Sequence, residues 1–193
     1  MINDIIILDD VVTPSYQQYL ENMFMGEQMT NWLLLNDISY DVVQSSFGVK
    51  TVRPGLVHPL KVDGQVKSHL YNLTLPLIFN SIDTIGFKYH DIFQGRSFLQ
   101  FPNPESLVNN PHIDLTFPHL VCLYYVNDSD GDTILYEQTS NDFGEVDVKS
   151  KEFTVKKRVS PKRGRVLLFD GKYYHSSSSP TSNQRCIINF NLI

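Results

Sequence analysis

Beyond Gly86 the chain becomes a succession of short apolar runs set apart by turn residues, and that texture limits its fold more than any other feature. The runs cover residues 97–101, 119–126, 133–137, 153–159, 165–169 and 185–192. Between them lie Pro102-Asn103-Pro104, residues 127–131, 141–144 and 161–164, and the polar stretch 176–183. Short strands at such intervals build a sandwich, jelly roll or barrel. The earlier half reads differently. Residues 5–8 predict a short buried strand, and Thr13-Pro14 then opens a helix, with Thr13 as cap and Pro14 at its first position. Tyr16, Tyr19, Leu20, Met23 and Phe24 recur at helical spacing and predict one face packed on a sheet. A second helix is expected over 66–82, with Leu70, Leu73 and Leu77 on one face and Pro76 kinking or splitting it. Residues 45–64 read as loops that shape an entrance to any site. The expectation is one α+β domain, mainly β, over 1–193: helix-rich support in 1–90 and a β core in 91–193. A chain of 193 residues, 41% apolar and 19% charged, can bury such a core.

A net charge of -5 argues against a general nucleic-acid binder. The basic residues Lys156, Lys157, Arg158, Lys162, Arg163 and Arg165 read as a solvated hairpin edge. Cys122 and Cys186 each sit in an apolar run and are expected as buried free thiols, with a disulfide between them still open. No apolar stretch reaches membrane-spanning length, and residues 1–9 lack the basic start and small-residue cleavage site of a signal peptide. A soluble cytoplasmic protein is expected, in which the acceptor pattern Asn72-Leu73-Thr74 stays idle.

The chemistry centres on His112-Ile113-Asp114. In a strand, residues two apart share a face, so an imidazole and a carboxylate would project side by side as metal ligands. Alone, the triplet is as readily a surface pair or a hydrogen-bonded turn. His175 follows the apolar run Val166-Leu167-Leu168-Phe169 and the turn Asp170-Gly171, where it can face a pocket at a strand's mouth. Two histidines and one carboxylate cover one face of an octahedral ion and leave the other open. That arrangement suits non-haem Fe(II) and oxygen. Arg185 opens the last run, ten residues after His175. On a strand antiparallel to the one before His175 it reaches the same pocket, where a guanidinium grips a carboxylate through two parallel hydrogen bonds. Otherwise it is a surface ion-pair partner. His119, behind Pro118, reads as structural, and His58, His69 and His90 have no partner at ligand spacing. Asp170 either orients His175 or forms a turn.

Taken in order, these segments resemble the Fe(II)/2-oxoglutarate oxygenases, and the prolyl 4-hydroxylase-like branch best. PHIDLTFPHLVCLYYVND resembles that family's first metal motif and the strand after it. DGDTILYE resembles its Gly-Gly-Glu-Thr strand, with Asp130 and Asp132 replacing the first glycine and the glutamate. SPKRGRVLLFDGKYYHSSSSP resembles the turn, strand and distal histidine, and QRCIINFNL the arginine-bearing last strand. The resemblance implies a double-stranded β-helix (jelly-roll) core. It implies iron held by His112, Asp114 and His175, and the distal carboxylate of 2-oxoglutarate held by Arg185. The family often adds a tyrosine hydroxyl to that grip; Tyr124 is the candidate, with Tyr125 on the opposite face. Gln100 is a second polar candidate. The implied activity consumes O2 and 2-oxoglutarate, with ascorbate as a stimulant. It hydroxylates an unidentified small-molecule or peptidyl substrate and releases succinate and CO2. Prolyl 4-hydroxylases tend to carry lysine where this chain has Arg185, and the doubled glycine is missing, so prolyl specificity is left open. Two other readings compete, beside a structural β-domain in which four motif matches in order would be coincidence. One is a jelly-roll sensor that binds metal and 2-oxoglutarate without turnover. The other is a cupin-like metalloenzyme that does not use 2-oxoglutarate and would have no need of Arg185.

Overall fold

The computed structural model of the chain describes residues 2, 4–26, 30–38, 43–44, 50–51, 53–140 and 152–193. In chain order the elements are β1 (Ile6–Leu8), α1 (Pro14–Met25), β2 (Leu33–Leu35), β3 (Val43–Gln44), β4 (Lys50–Thr51), β5 (Gly55–Val62), β6 (Gln65–Val66) and α2 (Tyr71–Ile85). There follow β7 (Ile92–Gln100), β8 (Leu120–Tyr125), β9 (Thr133–Thr139), β10 (Val155–Val159), β11 (Val166–Asp170), β12 (Tyr173–Ser177) and β13 (Arg185–Leu192). A major sheet runs β1-β11-β8-β13-β7-β5-β2, with β6 on β5, and a minor sheet runs β10-β9-β12. The pairings among the described residues are all antiparallel. The expected turn at 141–144 lies outside the described residues.

Strand β8 shows how the layers are assembled. Its six residues are all buried. Successive side chains leave opposite faces of a strand, so Leu120, Cys122 and Tyr124 join one core and Val121, Leu123 and Tyr125 another. The first core is closed by Leu20 and Phe24 of α1 and Leu77, Ile78 and Ile82 of α2. The second is closed by Leu135 of β9 and Val159 of β10 in the minor sheet. The result is helices, major sheet, minor sheet: a β-sandwich of the jelly-roll kind with helices against its outer face. Both cysteines are buried and free, as expected, and burial pushes each thiol up to about 12.

Local expectations hold in part. Helix α1 starts with Pro14 in its first turn after an extended Thr13, but the Thr13 side chain makes no capping bond. Its buried face is Gln17, Leu20 and Phe24, which turns Tyr19 outward at 43% exposure. Helix α2 neither splits at Pro76 nor starts at 66, because Gln65–Val66 pair with β5 instead. It runs through Pro76 and ends on Gly86, whose left-handed conformation (φ 64) lets its N–H bond to the Ile82 carbonyl.

The division at residue 90 does not separate helices from sheet, since β1, β2, β5 and β6 all join the major sheet. Of residues 45–64, read as loop, 45–49 and 52 lie outside the described residues, and 55–62 form β5. That strand pairs with β7 over Gly55 to Lys61, with its ladder shifted between Pro59 and Lys61. Among the described residues no helix is long and apolar enough to cross a membrane.

Candidate active site

His175 is the central residue of β12 and is 5% exposed, so it sits within a strand rather than past the end of one. His112 belongs to no strand. Its backbone N–H bonds to the His175 carbonyl and the His175 N–H bonds back, both at 2.9 Å. This reciprocal pair fixes an otherwise irregular segment against the minor sheet and brings the two rings to a centroid distance of 4.5 Å. Strand alternation therefore does not explain the His112–Asp114 pairing, as the spacing predicted; the bridge seats His112 beside His175, and the Asn189 and Asn191 amides hold Asp114. Asp114 Oδ1 stands 3.9 Å from His112 Nε2 and 3.8 Å from His175 Nε2.

Each group is oriented from behind. His112 Nδ1 lies 3.2 Å from the Asn110 carbonyl and His175 Nδ1 3.2 Å from the Tyr173 carbonyl. A carbonyl only accepts, so each Nδ1 carries the proton and each Nε2 presents a lone pair inward. Asp114 Oδ2 accepts from the side-chain amides of Asn189 and Asn191 at 2.9 and 2.8 Å, which leaves Oδ1 free. Burial works against the Asp114 charge. The His175 and His112 rings and the two amides outweigh it and hold the carboxyl below the usual carboxylate range. Burial, then His112, push the His175 imidazole down to about 4, so it is neutral at pH 7. Asp170 turns out to be the turn former: its Oδ1 accepts from the Lys172 backbone N–H at 3.0 Å. His119 is structural, buried with Nδ1 on the Phe117 carbonyl at 2.8 Å.

Three ligand atoms, two imidazole nitrogens and a carboxylate oxygen, all within 4.8 Å of one another, fit a divalent first-row ion. Two imidazoles and one carboxylate could hold Fe(II) and leave its remaining positions toward the adjoining cavity.

That cavity, of about 320 Å³, lies between the sheets. One wall carries the triad; the other is the inner face of β7 and β13. Arg185 is 2% exposed there. Its Nε donates to the Gly131 carbonyl at 2.7 Å, and its terminal nitrogens donate to Gln100 Oε1 at 3.0 Å and Thr133 Oγ1 at 2.7 Å. Among the described residues it has no carboxylate partner. A buried guanidinium with no ion pair to a carboxylate has the chemistry to accept an anion. Gly131 is required by this packing, because a Cβ there would fall 2.8 Å from the Ser178 carbonyl oxygen and 2.9 Å from Arg185 Cδ.

The tyrosine assignment is corrected. Tyr124 points into the core between major sheet and helices, and its buried hydroxyl has no partner among the described residues. Tyr125 faces the inner side: its hydroxyl donates to Thr133 Oγ1 at 2.8 Å, and its ring lies 5.8 Å from the Arg185 guanidinium carbon. The two do leave opposite faces, as expected, but the faces are exchanged. Gln100, the second polar candidate, accepts from Arg185 through its Oε1. Asn189 and Asn191 were missed. Alternation from Arg185 along the last strand, through 187, 189 and 191, would have placed both on the arginine's face.

No protein-family model matches the sequence, and no curated protein does either. Solved structures do match. An oxidoreductase of the 2OG-Fe(II) oxygenase family from Burkholderia pseudomallei superposes with a TM-score of 0.66 at 11% identity, covering 97% of this chain and 84% of that one. A Trichoplax adhaerens prolyl hydroxylase in complex with a hypoxia-inducible-factor peptide gives 0.62 at 14% identity, over 99% and 84%. The chain has the fold of the 2OG-Fe(II) oxygenases. A third structure with this oxygenase fold is HygX from Streptomyces hygroscopicus, with nickel, 2-oxoglutarate and hygromycin B bound (TM-score 0.60, 14% identity, 97% and 82% coverage). The oxygenase fold thus accounts for helices, major sheet and minor sheet together, not only the residues that carry the motifs.

Proposed function

We propose that the protein is an Fe(II)- and 2-oxoglutarate-dependent dioxygenase that hydroxylates a small-molecule or peptidyl substrate. One observation carries the reading: the three-donor cluster and the unpaired cation of Arg185 face each other across one cavity. His112, Asp114 and His175 would hold the iron. Arg185, braced by Gln100 and Thr133, would take the far carboxylate of 2-oxoglutarate, with Tyr125 beside it. The bound metal supplies the oxygen chemistry, in which O2 and 2-oxoglutarate give succinate, CO2 and one hydroxyl on the substrate. The chain's own contribution is placement: Asn189 and Asn191 keep Asp114 aimed, and the Tyr173 and Asn110 carbonyls engage the two Nδ1 atoms, so that the Nε2 atoms are the ones turned to the metal. Buried apolar walls at Leu123 and Ile187 limit water around the reacting atoms. Two buried free thiols accord with a reducing, cytoplasmic setting.

The reading is tested by calorimetric titration of 2-oxoglutarate into Zn(II)-loaded protein, beside Arg185→Gln. Wild type should bind, and the variant should bind at least about tenfold more weakly with its metal affinity intact. Equal affinity in the two proteins would remove Arg185 from the cosubstrate site.

A further inference from the structure

The same cavity holds a second guanidinium. Arg96 lies on β7 and pairs in register with Asn189 of β13, whose amide holds Asp114. It lies four positions before Gln100 on the strand, so its backbone stands about 13 Å along the sheet from the position that braces Arg185. Its guanidinium carbon sits 5.4 Å from the Phe98 ring centroid, so an aromatic face backs it and its N–H edges are left for the cavity it lines.

The other five arginines are all engaged: Arg53 by Asn109, Arg158 by Asp132, Arg163 by Glu21, Arg165 by Asp9, and Arg185 as described. Among the described residues Arg96 donates no hydrogen bond and forms no ion pair. A half-buried cation with an aromatic backing and no partner is poorly placed for stability. It is well placed to donate two parallel hydrogen bonds to a planar anion.

Charge accounting points the same way, and it rests on the function proposed above. A divalent metal with Arg185 and Arg96 brings four positive charges into the cavity. Asp114 and the two carboxylates of 2-oxoglutarate bring three negative ones. One positive charge remains, and Arg96 carries it opposite Asn189, the residue that holds Asp114, rather than at the Arg185 end. We propose that the primary substrate carries a carboxylate and that Arg96 binds it, holding the C–H bond to be hydroxylated near the metal. Arg96 is on this account a specificity-determining residue, and cationic substrates are excluded by repulsion.

The test uses Zn(II)- and 2-oxoglutarate-loaded protein and a panel of N-acetyl amino acids, each beside its neutral amide, with binding read by ligand-observed NMR. The acids should bind about tenfold or more tightly than the matched amides. In Arg96→Gln that preference should fall to about one, and Arg96→Lys, which keeps the charge but not the fork, should restore part of it. The 2-oxoglutarate affinity should stay within about twofold of wild type in both variants. Acids and amides binding alike, or a preference that survives in Arg96→Gln, would overturn the proposal. A loss of 2-oxoglutarate affinity in Arg96→Gln would also overturn it, by assigning Arg96 to the cosubstrate. Wild type that fails to bind 2-oxoglutarate would instead overturn the cosubstrate reading, and the acid–amide comparison can then be read on the Zn(II) protein alone.

Discussion

Asp114 takes two amide donors on one oxygen, while the Oδ1 atoms of Asn189 and Asn191 are themselves buried without a partner among the described residues. Two unsatisfied carbonyls are a cost that only the orientation of Asp114 offsets. Asn189→Ala or Asn191→Ala should therefore weaken Zn(II) or Co(II) binding by about tenfold or more, read by competition with a chelating dye. Unchanged affinity in both would deny the amides that role. The adjacent tyrosines give a paired prediction. Tyr125→Phe loses the bond to Thr133 Oγ1 and should cost about 1 kcal/mol in urea unfolding. Tyr124→Phe removes a buried hydroxyl that bonds to nothing described and should be neutral or up to about 1 kcal/mol stabilising. The reverse order would contradict the faces assigned here. At this scale the donors His112, Asp114, His175 and Arg185 were legible because their residue types and order are distinctive. Tyr124 and Tyr125 were not separable, because two identical side chains side by side carry no sign of which face is which.

The strands that were easy to read are those with apolar residues on both faces, such as β8 and β11, where burial on two sides writes a continuous run. β5 and β12 were not readable for a shared reason: each is interrupted by residues chosen for what they touch. β5 contains His58, bonded to Ser68 Oγ at 2.7 Å, and Pro59 at the edge of a register shift. β12 contains His175 and Ser176, turned toward the cavity and Tyr136. Their polarity disguised them as loop and turn. The basic stretch also resolves at this scale. Arg165 and Lys162 hold Asp9, just past β1, at 2.8 and 3.1 Å, so the edge strand is fastened to the turn before β11. Arg165 first, with Lys162 behind it, pulls the Asp9 carboxyl down to about 2. A carboxyl depressed on folding contributes stability above its unfolded value, near about 3.9, and that contribution is lost as pH falls from there toward about 2. The stability difference between wild type and Asp9→Asn should be present at pH 6 and shrink between about pH 4 and pH 2 in urea titrations. A gap independent of pH would mean the fastening is not electrostatic.

For the whole molecule, the two faces of the major sheet are given different tasks. The outer face packs on α1 and α2 through an apolar core; the inner face carries Arg185, Asn189, Asn191 and Arg96 opposite the minor sheet. The division lets polar, unpaired groups be held rigidly without breaking the core that supports them. It also brings His112, His175 and Arg185, far apart in sequence, to one cavity. One assay tests the cosubstrate chemistry directly. Protein purified without oxygen is supplied with Fe(II), ascorbate, 2-oxoglutarate and O2, and succinate is measured beside His175→Ala. Wild type should form succinate that depends on iron, and the variant should form none, even without the primary substrate. Wild-type protein that neither forms succinate nor binds 2-oxoglutarate when loaded with metal would contradict it.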